Sequence, residues 1–471
     1  MRPHAGIMLD GRAAETGSLK TAAGRNDHAL MDMNASRLST TRQLSAAEQP
    51  VTARELWAWS MYDFANSGYT TVIITAIFNA YFVGVIAGGA SWGTLLWTTC
   101  LAVSYAVVMA LGPVLGAWAD RHAAKKRLLL VSTIGCVVAT LLLAPVAAQG
   151  PGLLWLACLV FIASNVFYAL GENFTASFLP ELAKSTHIAR VSAYGWSLGY
   201  VGGLVCLGVC LYVVTAQQAA GAPATTFVPL TLVITAVIYA LASVPTFLFL
   251  RERAEPRRGV DPRSVWRKLL ASLAQLRDFP DLRRFFIAVV AYQAGLAVVI
   301  SLASVYAEQA LGFKMADTIK LLLVVNVSAA LGAFFFGFVQ DRIGHKPTLV
   351  ITLLMWIATV VIAYLWHSQT GFWVAANLAG LCIGASQSGG RALVGVMSPR
   401  PQLAEFFGLW GLAVRLAGII GPLLYGLVTF ATGGNHRLAL LVTGAMFVIG
   451  LLVLRGVDVA RGQARAFQSV G

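Results

Sequence analysis

Charge is scarce in this chain. Asp, Glu, Lys and Arg make up 11% of its 471 residues, against 58% hydrophobic ones. Soluble domains carry about 25% charged residues. The deficit excludes an ordinary soluble protein and points to an integral membrane protein. Other absences exclude chemistry. No GxxxxGK[ST] loop occurs, which argues against ATP-driven transport. The six cysteines (Cys100, Cys136, Cys158, Cys206, Cys210 and Cys382) fall in apolar stretches without CxxC spacing. They read as small buried filler, not as disulfides or metal ligands. The seven histidines are scattered, with His122, His187 and His345 in polar connections. Neither a metal-spaced His/Asp/Glu cluster nor a Ser/His nucleophile pair stands out, so no enzyme activity, metal or cofactor is expected. The first 50 residues lack an apolar run of about 7–15 and so are no secretory signal. Their polar, aperiodic composition predicts a disordered cytoplasmic tail over 1–55, within which Met31 or Met33 is an alternative start.

Long apolar runs are what the chain has in abundance. They fall at about 60–86, 94–118, 127–148, 152–178, 190–214, 226–250, 284–310, 319–340, 347–366, 371–397, 403–431 and 435–456. Each approaches the ~20 residues that cross a bilayer as a helix. The pattern predicts an all-α integral membrane fold of twelve spanning helices. Its parts are a half over 56–250, a linker over 251–283, a second half over 284–456 and a cytoplasmic tail over 457–471. The net charge of +14 would suit nucleic acid, but the basic residues occupy short connections between the runs. Alternate connections hold Arg121, Lys125, Lys126 and Arg127; Lys184 and Arg190; Arg342 and Lys346; and Arg400. The linker alone holds Arg251, Arg253, Arg257, Arg258, Arg263, Arg267, Lys268, Arg277 and Arg283, with Arg284 at its edge. The other connections hold Lys314, Lys320 and Arg437. This bias predicts both termini on the cytoplasmic side and excludes a nucleic-acid partner. In the linker, Trp266, Leu269, Leu270, Leu273 and Leu276 recur at helical steps between basic residues. They fit an amphipathic helix on the membrane surface and equally a packed linker helix.

The two halves resemble each other. Gly116, Asp120 and Arg121 follow the second span; Gly337, Asp341 and Arg342 follow the eighth, 221 residues later. In the fifth and eleventh spans, Gly195, Gly199 and Gly202 align with Gly411, Arg415 and Gly418 at an offset of 216. These small-residue faces, with Gly203 and Gly421, permit close helix approach, at a moving contact or a static one. Pro113 and Pro422 predict kinks.

Duplicated six-helix halves joined by a long loop mark a parallel-repeat transporter. With its Gly-x-x-x-Asp-Arg connections, the chain resembles the major facilitator superfamily. In that family the loop carboxylate and basic residues tie helix ends together and bias the gate. The first copy departs from the pattern, with Ala123 where glycine is usual; the second, Asp341-Arg342-Ile343-Gly344-His345-Lys346, is closer. Helix-end capping explains a single Asp-Arg pair, but two copies at matching places do not fit that alone. YDFANSGYTTVIITAIFNAYF, GENFTASFLPELA, SAYGWSLGYVGG and AEFFGLWGLAVRLAGIIGPLLYG further resemble the "unknown major facilitator" subfamily, over residues 55–456. That group includes fungal vacuolar amino-acid effluxers of the autophagy pathway. The resemblance implies a secondary transporter; a bacterial inner-membrane location and a monomeric state are further expectations.

Ionisable groups inside spans are costly and usually face the bundle interior. Here they are Asp63, Glu172, Glu308, Arg391 and Arg415, with Glu405 near a span end. Asp63, Asn66 and Tyr69 are spaced by three, roughly one helix face. Asp63 is either a helix-end anchor or a proton carrier; Asn66 and Tyr69 lie deeper as substrate contacts, with Gln293 of the seventh span a weaker one. Glu172 and Arg391 occupy matching places in spans four and ten. They fit a gate between the halves or two local pairings. Arg415, ~18 Å into span eleven at ~1.5 Å per residue, fits a substrate carboxylate or a structural ion pair. Asp120, Arg121, Asp341 and Arg342 are further gating candidates. The reading is a transporter of a small polar solute, an amino acid or similar, by alternating access, with protons as a candidate coupling ion. Its rival is a transporter-like sensor that binds without moving its ligand.

Overall fold

The computed structural model describes residues 51–182, 188–253, 264–366, 368–399 and 402–468. The expected tail over 1–50, Lys184, His187, Arg257, Arg258, Arg263 and Arg400 lie outside the described residues, as do the side chains of Arg190 and Lys268. Among the described residues the chain is helical, without strands. In hydrocarbon each peptide group must be satisfied within its own segment, and a helix does so.

We label the spanning helices α1 (Ala53–Ile86), α2 (Gly93–His122), α3 (Lys125–Ala148), α4 (Leu154–Ser177), α5 (Ile188–Ala219), α6 (Ala224–Phe249), α7 (Pro280–Leu311), α8 (Met315–Ile343), α9 (His345–Leu365), α10 (Gln369–Met397), α11 (Leu403–Ala431) and α12 (His436–Arg455). All but α10 qualify as spans by length and apolarity; α10, at 29 residues, has the length and carries more polar side chains. Several helices outrun their apolar stretches. Helix α1 begins at Ala53 and α7 at Pro280, because a first turn can be polar yet helical: Glu55 and Asp281 favour the positive helix start, and Pro280 stands where no donor is needed.

Within the first half α1 packs on α5 and α6, α3 on α4 and α6, and α2 on α4. Adding six to each label gives the packing of the second half. Across the halves α2 meets α11, α8 meets α5, and α1 meets α7. This is a pseudo-twofold bundle of two six-helix halves.

The structure corrects the repeat register in α5 and α11. A Cβ on Gly202 would strike the Phe64 carbonyl of α1, and one on Gly421 the Ala294 carbonyl of α7. Likewise, a Cβ on Gly171 would meet the Tyr62 hydroxyl, and one on Gly390 that of Tyr292. Both pairs are offset by 219. The equivalents are therefore Glu172 with Arg391 and Trp196 with Arg415; on α1 and α7, where Tyr62 matches Tyr292 and Phe64 matches Ala294 at an offset of 230, Asp63 matches Gln293. The 216 register fails because α11 carries two glycine pairs three residues apart, Gly408/Gly411 and Gly418/Gly421, so shifted alignments match glycines too, and only backbone apposition distinguishes the alternatives.

Each half is also clamped at the end where α1 and α7 begin, the basic end. Glu55 takes a bidentate bond from Arg253, just past α6, at 2.7 and 2.8 Å. Asp281 takes one from Arg461, just past α12, at 2.6 Å for both bonds. Lys126 Nζ donates to the Leu250 carbonyl, and Lys346 Nζ to those of Arg455 and Val457. In the linker, a helix over Val265–Gln275 buries Leu276 at its end, half-buries Leu269 and bonds Ser272 to Glu405, while Trp266, Leu270 and Leu273 are exposed.

Candidate functional site

At the end opposite the basic one, the halves are joined. Asn79 Nδ2 of α1 donates to the Ser301 carbonyl and to Ser304 Oγ of α7 at 2.9 and 2.7 Å, and Ser304 Oγ donates to the Thr75 carbonyl. Here α1 is interrupted by π-helical turns over Thr70–Ala76 and Phe82–Ile86. Side chains take carbonyls of the preceding turn around the first: Thr70 bonds Asn66, Thr71 bonds Ser67 and Asn79 bonds Thr75. Such bonds bend helices, and π-turns gather at functional positions. Gly426 of α11 lies against Leu95 and Thr98 of α2, so close that a Cβ would overlap both.

Toward the basic end the contact between halves is ionic. Arg415 Nη2 donates to Asn173 Oδ1 at 2.5 Å and lies 3.6 Å from Glu172 Oε2. Glu172 is half exposed, at 52% of its side chain, and Arg415 is 20% exposed. The Arg391 guanidinium sits 5.5 Å from the Trp196 ring of the first half and 5.2 Å from the Trp410 ring of its own. The corrected register makes these one contact seen twice: position 172 meets 415, and its counterpart 391 meets 196. Both α4 and α10 thus reach across to the opposite half. Arg391 and Glu172 still act on each other electrostatically, but the direct ionic partner of Glu172 is Arg415. Arg415 spends one strong bond on a neutral amide, leaving further guanidinium donors for an anion. Trp410 Nε1 is buried without a hydrogen-bond partner. Buried polar atoms rarely stay unpaired.

Asp63, Asn66 and Tyr69 do not share a face. Steps of three residues drift by about 60° each, which parts the first from the last. Asp63 lies over Gly195 of α5, where a Cβ would overlap its carboxylate, and it feels the Glu172 carboxylate. Asn66 and Tyr69 turn into the first half. Tyr239 donates to Asn66 Oδ1 at 2.8 Å; Tyr69 bonds Ser164 at 2.9 Å and stacks on Tyr168 at 4.5 Å. Gln293 lies on α7 and donates to Gln387 of α10 at 3.3 Å.

In the first loop copy, Asp120 is 3.6 Å from Lys125, which holds Glu181 at 2.9 Å. Ala123 adopts φ 48°, the left-handed region that glycine occupies without strain, and its counterpart Gly344 has φ 86°. Arg121, Asp341 and Arg342 are exposed.

Comparison with known proteins decides the family. A family model described as vacuole effluxer Atg22 like matches residues 83–466. The chain belongs to the Atg22-like family. A Bacillus subtilis (strain 168) protein, the uncharacterized MFS-type transporter YxiO, is 27% identical over 406 residues, covering 84% of this chain and 93% of that one. Autophagy-related protein 22-1 of Neosartorya fischeri is 26% identical over 314 residues, covering 61% of this chain and 50% of that protein. The chain thus spans about half the length of that fungal relative. Among solved structures, nucleoside transporter NupG superposes with a TM-score of 0.64 at 15% identity, over 86% of this chain and 99% of that one. The xylose transporter XylE from E. coli, inward open, gives 0.63 at 14% identity, over 85% and 95%. These likenesses fix the major facilitator fold. This Atg22-like protein is a transporter of that type.

Sequence reasoning missed Glu55, Arg253, Asp281 and Arg461, and it missed Asn79. The clamps had a signal: an acid in the first turn of each half and an arginine just beyond its last helix. Asn79 had only its polarity within an apolar run.

Proposed function

We propose that this Atg22-like protein is a secondary transporter of an amino acid or a closely related zwitterion, working by alternating access between its two halves. The observation that carries the reading is Arg415 facing Glu172 and Asn173 across the halves, with Asp63 nearby. A zwitterion needs a cation for its carboxylate and an anion for its ammonium, and this cluster supplies both. Arg415 takes the carboxylate by paired donors; Glu172 and Asp63 take the ammonium. Solute entry trades the Arg415–Glu172 contact for solute contacts, which couples binding to the separation or approach of the halves. Trp196 and Arg391 form the matching lock between α5 and α10. Asn66, Tyr69 and Gln293 support the site from within their halves, and the two loop copies tie helix ends that move with the gate.

The basic end is cytoplasmic, as the arginine and lysine bias favours, and we place the protein in the bacterial inner membrane. With α1 and α7 bonded at the other end, alternating access requires those bonds to break on one side and the Arg415–Glu172 contact to part on the other. Asp63 is the proton carrier, a partly buried carboxylate set against Gly195 of α5.

The experiment is flux in proteoliposomes with a panel of amino acids, with and without a proton gradient. The reading expects saturable flux of at least one amino acid, accelerated by the gradient. Binding without flux, or flux confined to uncharged solutes, overturns it. Asp63→Asn is expected to abolish the gradient dependence; unchanged dependence removes Asp63 from the proton path.

A further inference from the structure

At the basic end a groove of about 650 Å³ opens between the ends of α7, α9 and α12. Four cations line it: Arg284, Lys346, Arg455 and Arg461, with Asp458 the one acid. Two cations are engaged by protein: Arg461 grips Asp281, and Lys346 Nζ bonds the carbonyls that follow α12. Arg284 makes a long 3.3 Å bond to the Gly456 carbonyl. Arg284 and Arg455 are both exposed. The first half fills the corresponding place with its own anion. Glu252 sets its carboxylate beside Lys125 and Lys126 and accepts from their backbone N–H groups at 2.7 and 3.2 Å. In the second half the chain beyond α12 supplies Gly456 and Val457 there, and the Asp458 carboxylate turns to the Arg461 N–H. The groove thus sets four cations against Asp458 in its lining and the Asp281 that Arg461 grips.

Just inside the rim the surface becomes apolar. Ile287, one turn from Arg284, is 54% exposed, and Leu452, one turn from Arg455, is 58% exposed. Ile351 on α9 is also exposed. Residues three or four apart stack on one helix face, so cations at the rim stand above an apolar wall. In a membrane that wall faces acyl chains.

We infer that this groove binds the phosphate headgroup of an anionic phospholipid, whose chains lie along Ile287, Leu452 and Ile351. Basic pockets between helix ends bind anionic headgroups in this way. A free phosphate shares the headgroup chemistry but leaves the apolar wall unused. The bound lipid bridges α7, α9 and α12 and so acts on the clamp that Asp281 and Arg461 make.

The test is native mass spectrometry of the purified full-length protein, titrated with phosphatidylglycerol and with phosphatidylcholine. Tight one-to-one phosphatidylglycerol adducts are expected, with phosphatidylcholine far weaker. Arg284→Ala/Arg455→Ala should weaken phosphatidylglycerol binding by about 30-fold, the effect of two basic residues at an anionic surface. Arg284→Lys/Arg455→Lys should retain binding within about threefold, which separates charge loss from misfolding. A matched pair outside the groove, Arg127→Ala/Arg267→Ala, should also stay within about threefold. Equal binding by wild type and the groove variant overturns the proposal, as does an equal loss in the matched pair. Displacement of the lipid by inorganic phosphate at equal concentration overturns it too, since the site would then read phosphate alone.

Discussion

In the proposed function Arg415 is the side chain that takes the solute carboxylate. Arg415→Ala is expected to lower amino-acid flux in proteoliposomes more than tenfold while leaving membrane insertion and the melting profile near wild type. Wild-type flux in that variant would remove Arg415 from the site. Arg415→Lys keeps the charge but loses the planar fork, and is expected to recover only part of the rate. That Arg415 matters is legible in the sequence, because a guanidinium inside an apolar run needs a reason. Its partners are not legible. Asn173 and Glu172 lie some 240 positions away, in the other half, and no local pattern encodes that contact. Asp63 misled in the opposite way. Its spacing from Asn66 and Tyr69 groups them on paper, but helical drift sends Asp63 to Gly195 and the other two into the first half.

At the scale of elements, α1 with α5 and α7 with α11 are tightly apposed helix pairs. Each relies on a glycine over a carbonyl. Gly202→Ala drives a methyl into the Phe64 carbonyl, and backbone cannot swing aside as a flexible side chain can. We expect a loss of about 1–3 kcal/mol, read as a lower apparent Tm in detergent; Gly116→Ala, with open space around it, serves as the neutral comparison. An unchanged Tm for Gly202→Ala would show that the pair has slack. The clamp at the start of α1 is the second such element. Glu55 is 4% and Arg253 13% exposed on their side chains. A guanidinium is charged at every physiological pH, and the carboxylate raises its pKa further. Glu55→Ala strands that cation, and stability should fall by about 3–5 kcal/mol; Glu55→Ala/Arg253→Ala should recover part of the loss. The sequence shows these helices clearly, since their apolar runs are long. It leaves their starts uncertain, because Glu55 and Asp281 belong to helices and clamps while looking like loop residues.

For the whole molecule, helix count, repeat and charge bias were readable in advance because each is a property of many residues at once. The exact register was not, because it rests on a few glycines. The closed end offers the direct test of alternating access. Asn79→Ala removes two hydrogen bonds between α1 and α7, worth about 1 kcal/mol each. With Ser301→Cys as reporter, an impermeant thiol reagent applied from that side is expected to label at least fivefold faster when Asn79 is replaced. Equal labelling would mean that the α1–α7 bonds do not hold this end shut. The paired bridges toward the basic end carry one more consequence, for how the halves choose each other. Positions 172 and 391 are equivalent, as are 196 and 415. A first half docked on a second half gains Glu172 on Arg415 and Arg391 on Trp196. Two copies of the second half would set Arg391 against Arg415 twice, and two copies of the first would set Glu172 against Trp196 without a cation. Severed into separate polypeptides and made together, the halves should therefore assemble as unlike partners, because self-pairing is the poorer match in charge.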